Sequence, residues 1–421
     1  LVITSSERSP VKAIVGGALI DGTGAQPVGD STVLIDDERI VEVGPRAAVA
    51  VPPDAEVFDA AGMTVMPGMI DCHDHLSEMH YDIMTRWRMG MPNSLQHLRT
   101  AKHLEDTLAG GFTCIRDGWG LDAGFKMAVE EGLYPGPRLM ITISFMSGTG
   151  GHADRVTGSG HRNPFNNDPR LPDGVVDGPD AARAKVRELW RAGADVIKFA
   201  TTGGGASRPG HGPWDPSFGR DEVAAIVAEA GEKGLRTMCH ALAGDGLRYA
   251  VEEGAGSIEH GGYLVDQPDL LKTMADNDQF YVPTFAVYEY HAENSPPHMA
   301  ERAKALMGKH KRSLHAAMEA GVKIAAGTDM GGFVHGKNYR EMEVLVERGM
   351  TPLQAIKAGT GTAAECVGLG DQIGTLVAGK LADVVVVDGD VATNISLLGD
   401  RDKIKMVMKG GDPFVDRLSD G

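Results

Sequence analysis

The segment Pro67-Gly-Met-Ile-Asp-Cys-His73-Asp-His75 is an apolar run that ends in two histidines one residue apart. The pattern predicts a buried β-strand, and residues two apart on a strand point to the same face of the sheet. Both imidazoles can therefore bind a single metal ion at the carboxyl end of this strand. Two histidines that merely follow a strand at the surface fit the same pattern, so the interpretation depends on the rest of the chain.

Short apolar runs alternate with stretches of helical periodicity from residue 65 to residue 329. This alternation is typical of repeated βα units around a parallel sheet. Eight apolar runs can be counted, at residues 65–72, 112–116, 139–143, 196–200, 237–240, 257–260, 280–285 and 323–329. Eight units over about 270 residues match the size of a TIM barrel. We therefore predict an α/β protein built around a (β/α)8 TIM barrel.

Both ends of the chain carry short β-rich segments without helical periodicity. They lie at residues 12–20, 31–43 and 57–59, and again at 382–388 and 404–409. We predict that the two ends fold together, so that residues 1–61 and 371–421 form one small β-sandwich domain built from both chain termini. Residues 62–370 then form the barrel domain.

Residues 148–178 break the alternation and are rich in Gly, Pro, Asn and Asp. Long irregular loops in compact domains are usually functional or disordered. This loop follows the third predicted strand, on the barrel face where active sites lie. We expect it to cover the substrate and to be more mobile than the strands.

A single lysine, Lys198, interrupts the apolar run 196–200. An unpaired ammonium group is costly to bury, so a lysine in such a place usually has a depressed pKa or a changed chemical form. A neutral lysine amine can react with carbon dioxide to give a carbamate, an anionic group able to bridge two metal ions. A lysine whose side chain extends from the end of the strand to solvent fits the run equally well.

Three further runs end on residues that bind metals well: His240, His260 and Asp329. Together with the His-x-His pair and Lys198, they place candidate ligands at the ends of strands one, four, five, six and eight. The catalytic groups of a TIM barrel come from the carboxyl ends of several strands, where they meet in space. Residues far apart in the sequence are therefore predicted to form one metal site.

The composition restricts the partners of the chain. Its 421 residues include 41 Lys and Arg against 58 Asp and Glu, a formal net charge of −17. Proteins that follow phosphate backbones or anionic membranes normally carry excess positive charge, so we expect neither nucleic acid nor membrane as a partner. No apolar run reaches the roughly 18 residues that span a bilayer. We expect a soluble protein, cytoplasmic or exported after removal of a signal, that acts on a small molecule.

The order and spacing of these residues resemble the amidohydrolase superfamily over nearly the whole chain. The resemblance implies that His73, His75 and Asp329 hold one metal ion. It also implies that Lys198 is N6-carboxylated and bridges to a second ion, which His240 and His260 hold. We accordingly expect two divalent metal ions, Zn²⁺ in the first instance, and a homo-oligomeric protein.

Three shorter segments resemble the imidazolonepropionase-like branch of that superfamily. They are Tyr281-Val-Pro-Thr, His335-Gly-Lys-Asn and Gly349-Met-Thr-Pro-Leu-Gln-Ala-Ile. The branch includes Xaa-Pro dipeptidases, carboxypeptidase-like enzymes and ochratoxin-degrading amidases. Many of its members have His-x-His at strand five, whereas this chain has His240-Ala-Leu242. Leu242 cannot donate a hydrogen bond from its side chain, so we predict a different substrate contact at this position.

The resemblance implies hydrolysis of an amide bond, with Asp329 as the catalytic general base that passes a proton from water to the leaving amine. A substrate with a free carboxylate needs a polar clamp, for which His152, Arg208 and Tyr288 are the candidates. The substrates implied are N-acyl amino acids, Xaa-Pro or other dipeptides, and ochratoxin-type amides. Two alternatives remain open: a hydantoinase- or imidazolonepropionase-type hydrolase of cyclic amides, and a non-catalytic scaffold protein related to hydantoinases.

Overall fold

Strands and helices alternate through most of the chain. The computed structural model describes residues 10–78, 92–154, 156, 172–205, 207, 210–331 and 335–418. The strands, in chain order, are β1 (Lys12–Val15), β2 (Ala18–Leu19), β3 (Ser31–Asp36), β4 (Arg39–Pro45), β5 (Glu56–Asp59), β6 (Met63–Pro67), β7 (Met69–Asp74), β8 (Phe112–Asp117), β9 (Arg138–Ile141), β10 (Phe145–Met146), β11 (Val196–Ala200), β12 (Arg236–Ala241), β13 (Ser257–His260), β14 (Phe280–Val282), β15 (Lys323–Ile324), β16 (Val384–Asp388), β17 (Ile404–Lys409) and β18 (Asp412–Asp416). The helices of the described residues are α1 (Asn93–Ala109), α2 (Ala123–Glu130), α3 (Pro179–Arg191), α4 (Arg220–Glu232), α5 (Gly244–Glu252), α6 (Pro268–Asp276), α7 (Phe285–Asn294), α8 (Pro297–Glu319), α9 (Tyr339–Glu347), α10 (Pro352–Ala358) and α11 (Gly361–Val367).

The strands from β7 to β15 are parallel to their neighbours. They form one sheet of order β7-β8-β9 and another of order β10-β11-β12-β13-β14-β15. On one side, the N–H of Asp195 just before β11 donates to the carbonyl of Ile141 in β9 at 2.8 Å. On the other, the N–H of Cys72 in β7 donates to the carbonyl of Ala326 after β15 at 2.9 Å. The predicted α/β class is confirmed, and each of the eight predicted runs contributes to these parallel strands.

The first predicted run, 65–72, is interrupted at Gly68 and does not form one continuous strand. Its first residues belong to β6, and β7 begins immediately after the glycine. A Cβ atom at Gly68 would lie 2.2 Å from Oγ1 of Thr113. Only glycine allows the chain to pass this close to β8, and the close passage lets the strand change from one sheet to the other.

Helix α3 shows how a helix buries one apolar face in the main core. In α3 the buried residues are Ala182, Val186 and Leu189, which lie three or four positions apart and so share a face. Pro179 occupies the first turn of α3, where its missing N–H leaves no hydrogen bond unmade, and Asp180 beside it interacts favourably with the helix dipole. Among the described helices, none is long and apolar enough to cross a membrane.

Strands from the two ends of the chain pair with each other. One sheet has the order β4-β3-β1-β5, and a second, β18-β17-β16-β6-β2, combines strands from both ends. In the second sheet β6 and β16 are antiparallel, with Val65 opposite Val386. Buried side chains from both sheets, among them Ile14, Val33 and Met406, form one hydrophobic cluster. The chain ends are therefore joined by backbone pairing and by a common core.

We predict that Gly68→Ala destabilises the protein. The new Cβ would have to displace Thr113, whose Oγ1, Cγ2 and Cβ atoms lie 2.2, 2.5 and 2.8 Å from its position. Overpacking of this kind costs about 1–3 kcal/mol, which the midpoint of urea unfolding measures.

Gly231→Ala in α4 is the matched control, because nothing lies within 4 Å of a Cβ atom at that position. Alanine is the better helix former, so this variant should be more stable by about 0.5–1 kcal/mol. Equal midpoints for Gly68→Ala and the unchanged protein would contradict the close approach at Gly68.

Candidate active site

Side chains from five parallel strands, or from the segments that follow them, face a single cavity. All six residues predicted as metal ligands line it: His73, His75, Lys198, His240, His260 and Asp329. His73, His240 and His260 lie in the second half of their strands, and His75 directly follows β7. Lys198 is the middle residue of β11, and Asp329 lies five residues after the end of β15. The parallel arrangement brings these ends to one edge of the sheets, so residues from distant parts of the sequence meet there.

His73, His75 and Asp329 form a close group of potential metal ligands. One ligand atom from each lies within 4.8 Å of the other two. Nε2 of His75 is 3.0 Å and Nε2 of His73 is 3.4 Å from Oδ1 of Asp329. Burial acts to lower the pKa of His75, but the Asp329 carboxylate outweighs it and raises this pKa to about 9. Burial acts to raise the pKa of Asp329, but the hydrogen bond and charge of His75 prevail and the pKa lies below its ordinary value.

Lys198 is buried beside this group and is 1% exposed. Its Nζ lies 3.1 Å from Nε2 of His73 and 5.1 Å from the ring centre of Phe145. Among the described residues, no carboxylate lies within ion-pair distance of this Nζ. Burial lowers the pKa of Lys198 to about 8, although Glu259 and Asp329 act in the opposite direction. Part of the population therefore carries a neutral amine at neutral pH.

His240 and His260 are neutral imidazoles. Burial lowers the pKa of His240 to about 3, with the charge of Lys198 acting in the same direction. Burial, followed by the charges of His240 and Lys198, holds the pKa of His260 well below its ordinary value. Nε2 of His240 lies 3.3 Å from the carbonyl of Gly203, and Nδ1 of His260 lies 2.7 Å from Oγ1 of Thr284. Each ring is thus oriented through one nitrogen and keeps the other for a cation.

Three residues around the cavity have a left-handed backbone. His260, Thr284 and Asp329 have φ values of 70°, 54° and 54°. Such residues cost about 1–3 kcal/mol each and persist only where surrounding contacts hold them. One such contact is the hydroxyl of Tyr281, which donates to the carbonyl of His260 at 3.0 Å. The predicted run 280–285 ends early for the same reason, since β14 stops before Thr284 and helix α7 starts after it.

A buried ion pair fixes the orientation of His73. Nδ1 of His73 lies 2.9 Å from Oε2 of Glu259, whose Oε1 accepts a hydrogen bond from Nη2 of Arg116 at 2.8 Å. Arg116 also donates to Oγ of Ser257 at 3.1 Å. The carboxylate holds the tautomer of His73 whose Nε2 is available at the cavity. Arg116 and Glu259 are absent from the predicted site, although each is a charged residue in a short apolar run of the sequence.

A second buried network joins the His-x-His segment to the turn that carries Asp329. Oδ1 of Asp71 accepts from the N–H of His73 at 2.9 Å. Oδ2 of Asp71 accepts from Oγ1 of Thr328 at 2.6 Å and from Nδ2 of Asn338 at 2.8 Å. Asp71 therefore links the His-x-His segment to Thr328, the residue before Asp329, and the N–H of Asp329 itself donates to the carbonyl of His73 at 2.6 Å.

Two of the predicted substrate contacts line the cavity. The ring of His152 stacks on that of His240 with the centroids 4.1 Å apart, and its Nδ1 lies 2.6 Å from Oγ of Ser207. Tyr288 forms another part of the wall. Arg208, the third predicted clamp, lies outside the described residues.

Leu242 lines a second chamber next to the cavity, although strand alternation would direct it to the same side as His240. The reason is that β12 ends one residue earlier, at Ala241. Tyr288 belongs to the walls of both spaces. Of the predicted covering loop 148–178, residues 155 and 157–171 lie outside the described part of the chain.

The donor set of the cavity fits divalent cations. Neutral imidazoles and carboxylates are ordinary ligands of zinc. The four predicted histidine ligands and Asp329 meet here, and His152, His291 and Glu78 also line the cavity. The raised pKa of His75 beside Asp329 marks a point where the surroundings stabilise positive charge. A metal ion competes with a proton for such a place, because both need the same lone pairs.

Comparison with known proteins identifies the family of this chain. A model described as the amidohydrolase family matches residues 64–413. Ochratoxinase from Aspergillus niger is 31% identical over 435 residues, a match that covers 98% of this chain and 88% of ochratoxinase. Imidazolonepropionase from Streptomyces griseus subsp. griseus is 25% identical over 407 residues, covering 88% of this chain and 89% of the relative.

Solved structures agree over a similar length. A Xaa-Pro dipeptidase with bound methionine in the active site has 29% identity and a TM-score of 0.85, covering 96% of this chain and all of the other (100%). The crystal structure of A. niger ochratoxinase has 28% identity and a TM-score of 0.86, covering 97% and 96%. The predicted resemblance is confirmed. The chain belongs to the amidohydrolase family, and it is a hydrolase that acts on carbon–nitrogen bonds.

Proposed function

We propose that the chain cleaves amide bonds with two divalent metal ions, Zn²⁺ in the first instance, bridged by N6-carboxylated Lys198. His73, His75 and Asp329 would hold one ion, and His240 and His260 the other. The observation that carries the proposal is the burial of the Lys198 amine 3.1 Å from Nε2 of His73, with no carboxylate partner among the described residues.

Carboxylation would relieve the unfavourable burial of this amine. The neutral Nζ of Lys198 attacks carbon dioxide, an N–C bond forms and one proton is released, which leaves a carbamate with one negative charge. Since the ammonium form must first release its own proton, the two steps together replace a buried positive charge by a negative charge beside the imidazoles. The surroundings that disfavour the ammonium form would then favour bound cations.

The residues of the chain would bind the substrate and move the proton. When bound, two divalent ions lower the pKa of water and polarise the scissile carbonyl. Asp329, whose side chain is 17% exposed at the cavity, accepts a proton from the attacking water. The same carboxylate then delivers the proton to the nitrogen of the leaving amine, which must be protonated to depart. His152 and Tyr288 would orient the substrate through their imidazole and phenol groups.

Acyclic amides are the proposed substrates: N-acyl amino acids, dipeptides of the Xaa-Pro type, and ochratoxin-type amides. The support is the similarity to ochratoxinase and to a Xaa-Pro dipeptidase, at 31% and 29% identity. The alternative, hydrolysis of cyclic amides, is supported by 25% identity with imidazolonepropionase. Hydrolysis rates measured on N-acyl amino acids, Xaa-Pro dipeptides and hydantoins would separate the two.

The similarity to enzymes and the presence of all six candidate ligands favour catalysis over the role of a non-catalytic scaffold protein.

The same similarities support the finer architecture that the sequence predicts. We propose that the parallel strands close into one (β/α)8 barrel spanning residues 62–370, since backbone hydrogen bonds link the two parallel sheets on both sides. We propose further that residues 1–61 and 371–421 form a β-sandwich domain around their common hydrophobic cluster. The homo-oligomeric state stays a prediction.

We predict that Lys198→Ala loses the second metal ion. Metal content, measured by mass spectrometry, should fall from two ions per chain to one or fewer. We expect kcat to fall by at least about 10²-fold, the scale of removing one electrostatic contact to a transition state. Acetate should restore part of the activity, because alanine leaves room for a carboxylate in place of the carbamate.

Lys198→Met is the matched control, since its side chain fills the same space and cannot be carboxylated. It should lose the metal in the same way and show no recovery with acetate. Unchanged metal content in both variants would mean that Lys198 is a structural residue only.

We predict that Glu259→Gln weakens metal binding. The change removes the charge that holds His73 and leaves Arg116 without its carboxylate partner. Loss of such a supporting contact typically lowers metal affinity by about 10- to 100-fold, and we expect a loss of this size for Glu259→Gln. Competition with a chelator measures the dissociation constant.

Glu253→Gln removes a carboxylate from an exposed ion pair with Arg220 and serves as the control, with no expected change in metal affinity. If Glu259→Gln bound metal as tightly as this control, the supporting role of the Arg116–Glu259 pair would be wrong.

A further inference from the structure

A second chamber opens next to the cavity of the predicted metal ligands. Gly205 and Tyr288 belong to the walls of both spaces, so a group held in the chamber lies beside the cavity. The remaining walls come from the segment before α4, from the ends of β12 and β13, and from α8: Pro213, Trp214, Leu242, Tyr263, Arg302, Ala305 and Leu306.

The chamber is apolar and partly aromatic. The rings of Trp214 and Tyr263 lie 5.1 Å apart at an angle of 56°. Leu242 and Leu306 are 1% and 2% exposed and pack in one hydrophobic cluster with Tyr288. The N–H of Leu242 donates to Oγ1 of Thr202, so only its aliphatic side chain faces a ligand. Such walls favour a group that gives up little hydration when it enters.

Arg302 is the charged residue in these walls. Its Nη1 donates to the carbonyls of Gly204 and Ser207 at 3.2 and 3.1 Å, which fixes the loop between the chamber and His152. Within the described residues no carboxylate pairs with its guanidinium group. The positive charge therefore opposes entry of a cationic ligand group.

We propose that this chamber is a specificity pocket for a bulky apolar group of the amide substrate, aromatic or branched aliphatic, and that it rejects cationic groups. The proposal rests on the proposed function and narrows its substrate class. Leu242 contributes the apolar wall at a position where a histidine would introduce a polar ring. Either the acyl or the amine half of the amide can supply the group.

Two substrate series distinguish these halves. N-acetyl-alanine, -leucine, -phenylalanine and -lysine vary the amine half, and N-acetyl- and N-benzoylglycine vary the acyl half. A single methylene in an apolar pocket changes kcat/KM by about 10- to 200-fold. We therefore expect the bulky apolar members of one series to exceed its smallest member by at least about 10²-fold. If the amine half enters the chamber, Nα-acetyl-lysine should be the poorest substrate of its series.

Ala305→Phe tests the chamber directly, because Ala305 is an exposed residue of its wall and the new ring would fill the space. This variant should lose about 10²-fold in kcat/KM for the preferred bulky substrate and keep its rate on the smallest one within about threefold. Leu306→Ala should shift the preference toward larger groups. Leu314→Ala on the same helix is the matched control, since Leu314 is equally buried but packs in the main core and lies outside the chamber walls.

Calorimetric binding of N-acetyl-phenylalaninamide and N-benzoylglycinamide to the variants provides a readout that does not require turnover. If Ala305→Phe hydrolyses amides with the same substrate selectivity as the unchanged enzyme, the specificity-pocket proposal is wrong and the proposed function still holds. Absence of amide hydrolysis, together with apolar binding that Ala305→Phe abolishes, would overturn the proposed function and support the pocket. If neither binding nor selectivity responds to Ala305→Phe, the pocket is wrong.

Discussion

An amine buried without an anionic partner is the constraint on which the site depends. An ammonium group at Lys198 would be surrounded by apolar strand residues and by imidazoles that cannot neutralise it. Burial disfavours the charged form, and neighbouring carboxylates recover only part of the loss. A neutral residue at position 198 would avoid this cost, yet the chain has a lysine there. A modified lysine that carries negative charge gives a physical reason for its presence.

Other contacts orient the imidazole rings that surround the Lys198 side chain. The Arg116–Glu259 pair orients His73, Thr284 orients His260, and a backbone carbonyl orients His240. Each support acts from outside the cavity and leaves one ring nitrogen available. Three residues of the site have a left-handed backbone, which is unfavourable and must be held by contacts elsewhere in the fold. Such strain is common at functional sites, where it fixes the positions of side chains.

Local pattern locates the parallel strands, though not their exact ends, and the six candidate ligands that line one cavity. Apolar runs and the residues near their ends are properties of short segments. The same reasoning missed Glu259 and Arg116, whose hydrogen bond joins residues 143 positions apart. It also placed Leu242 with His240, whereas β12 ends at Ala241 and the N–H of Leu242 donates to Oγ1 of Thr202 after the neighbouring strand. Gly68 is similar: its close approach to Thr113 exists only in the folded chain. Such long-range pairings cannot be read from periodicity.

A crystal structure of the zinc-loaded enzyme, with anomalous scattering recorded at the zinc edge, would show whether carboxylated Lys198 joins two metal ions. We expect two anomalous peaks about 3.5–4 Å apart. We also expect electron density for a carbamate that extends from Nζ of Lys198 and contacts both ions. A single fully occupied metal, with an unmodified Lys198 side chain that makes no contact with it, would rule out the two-metal site.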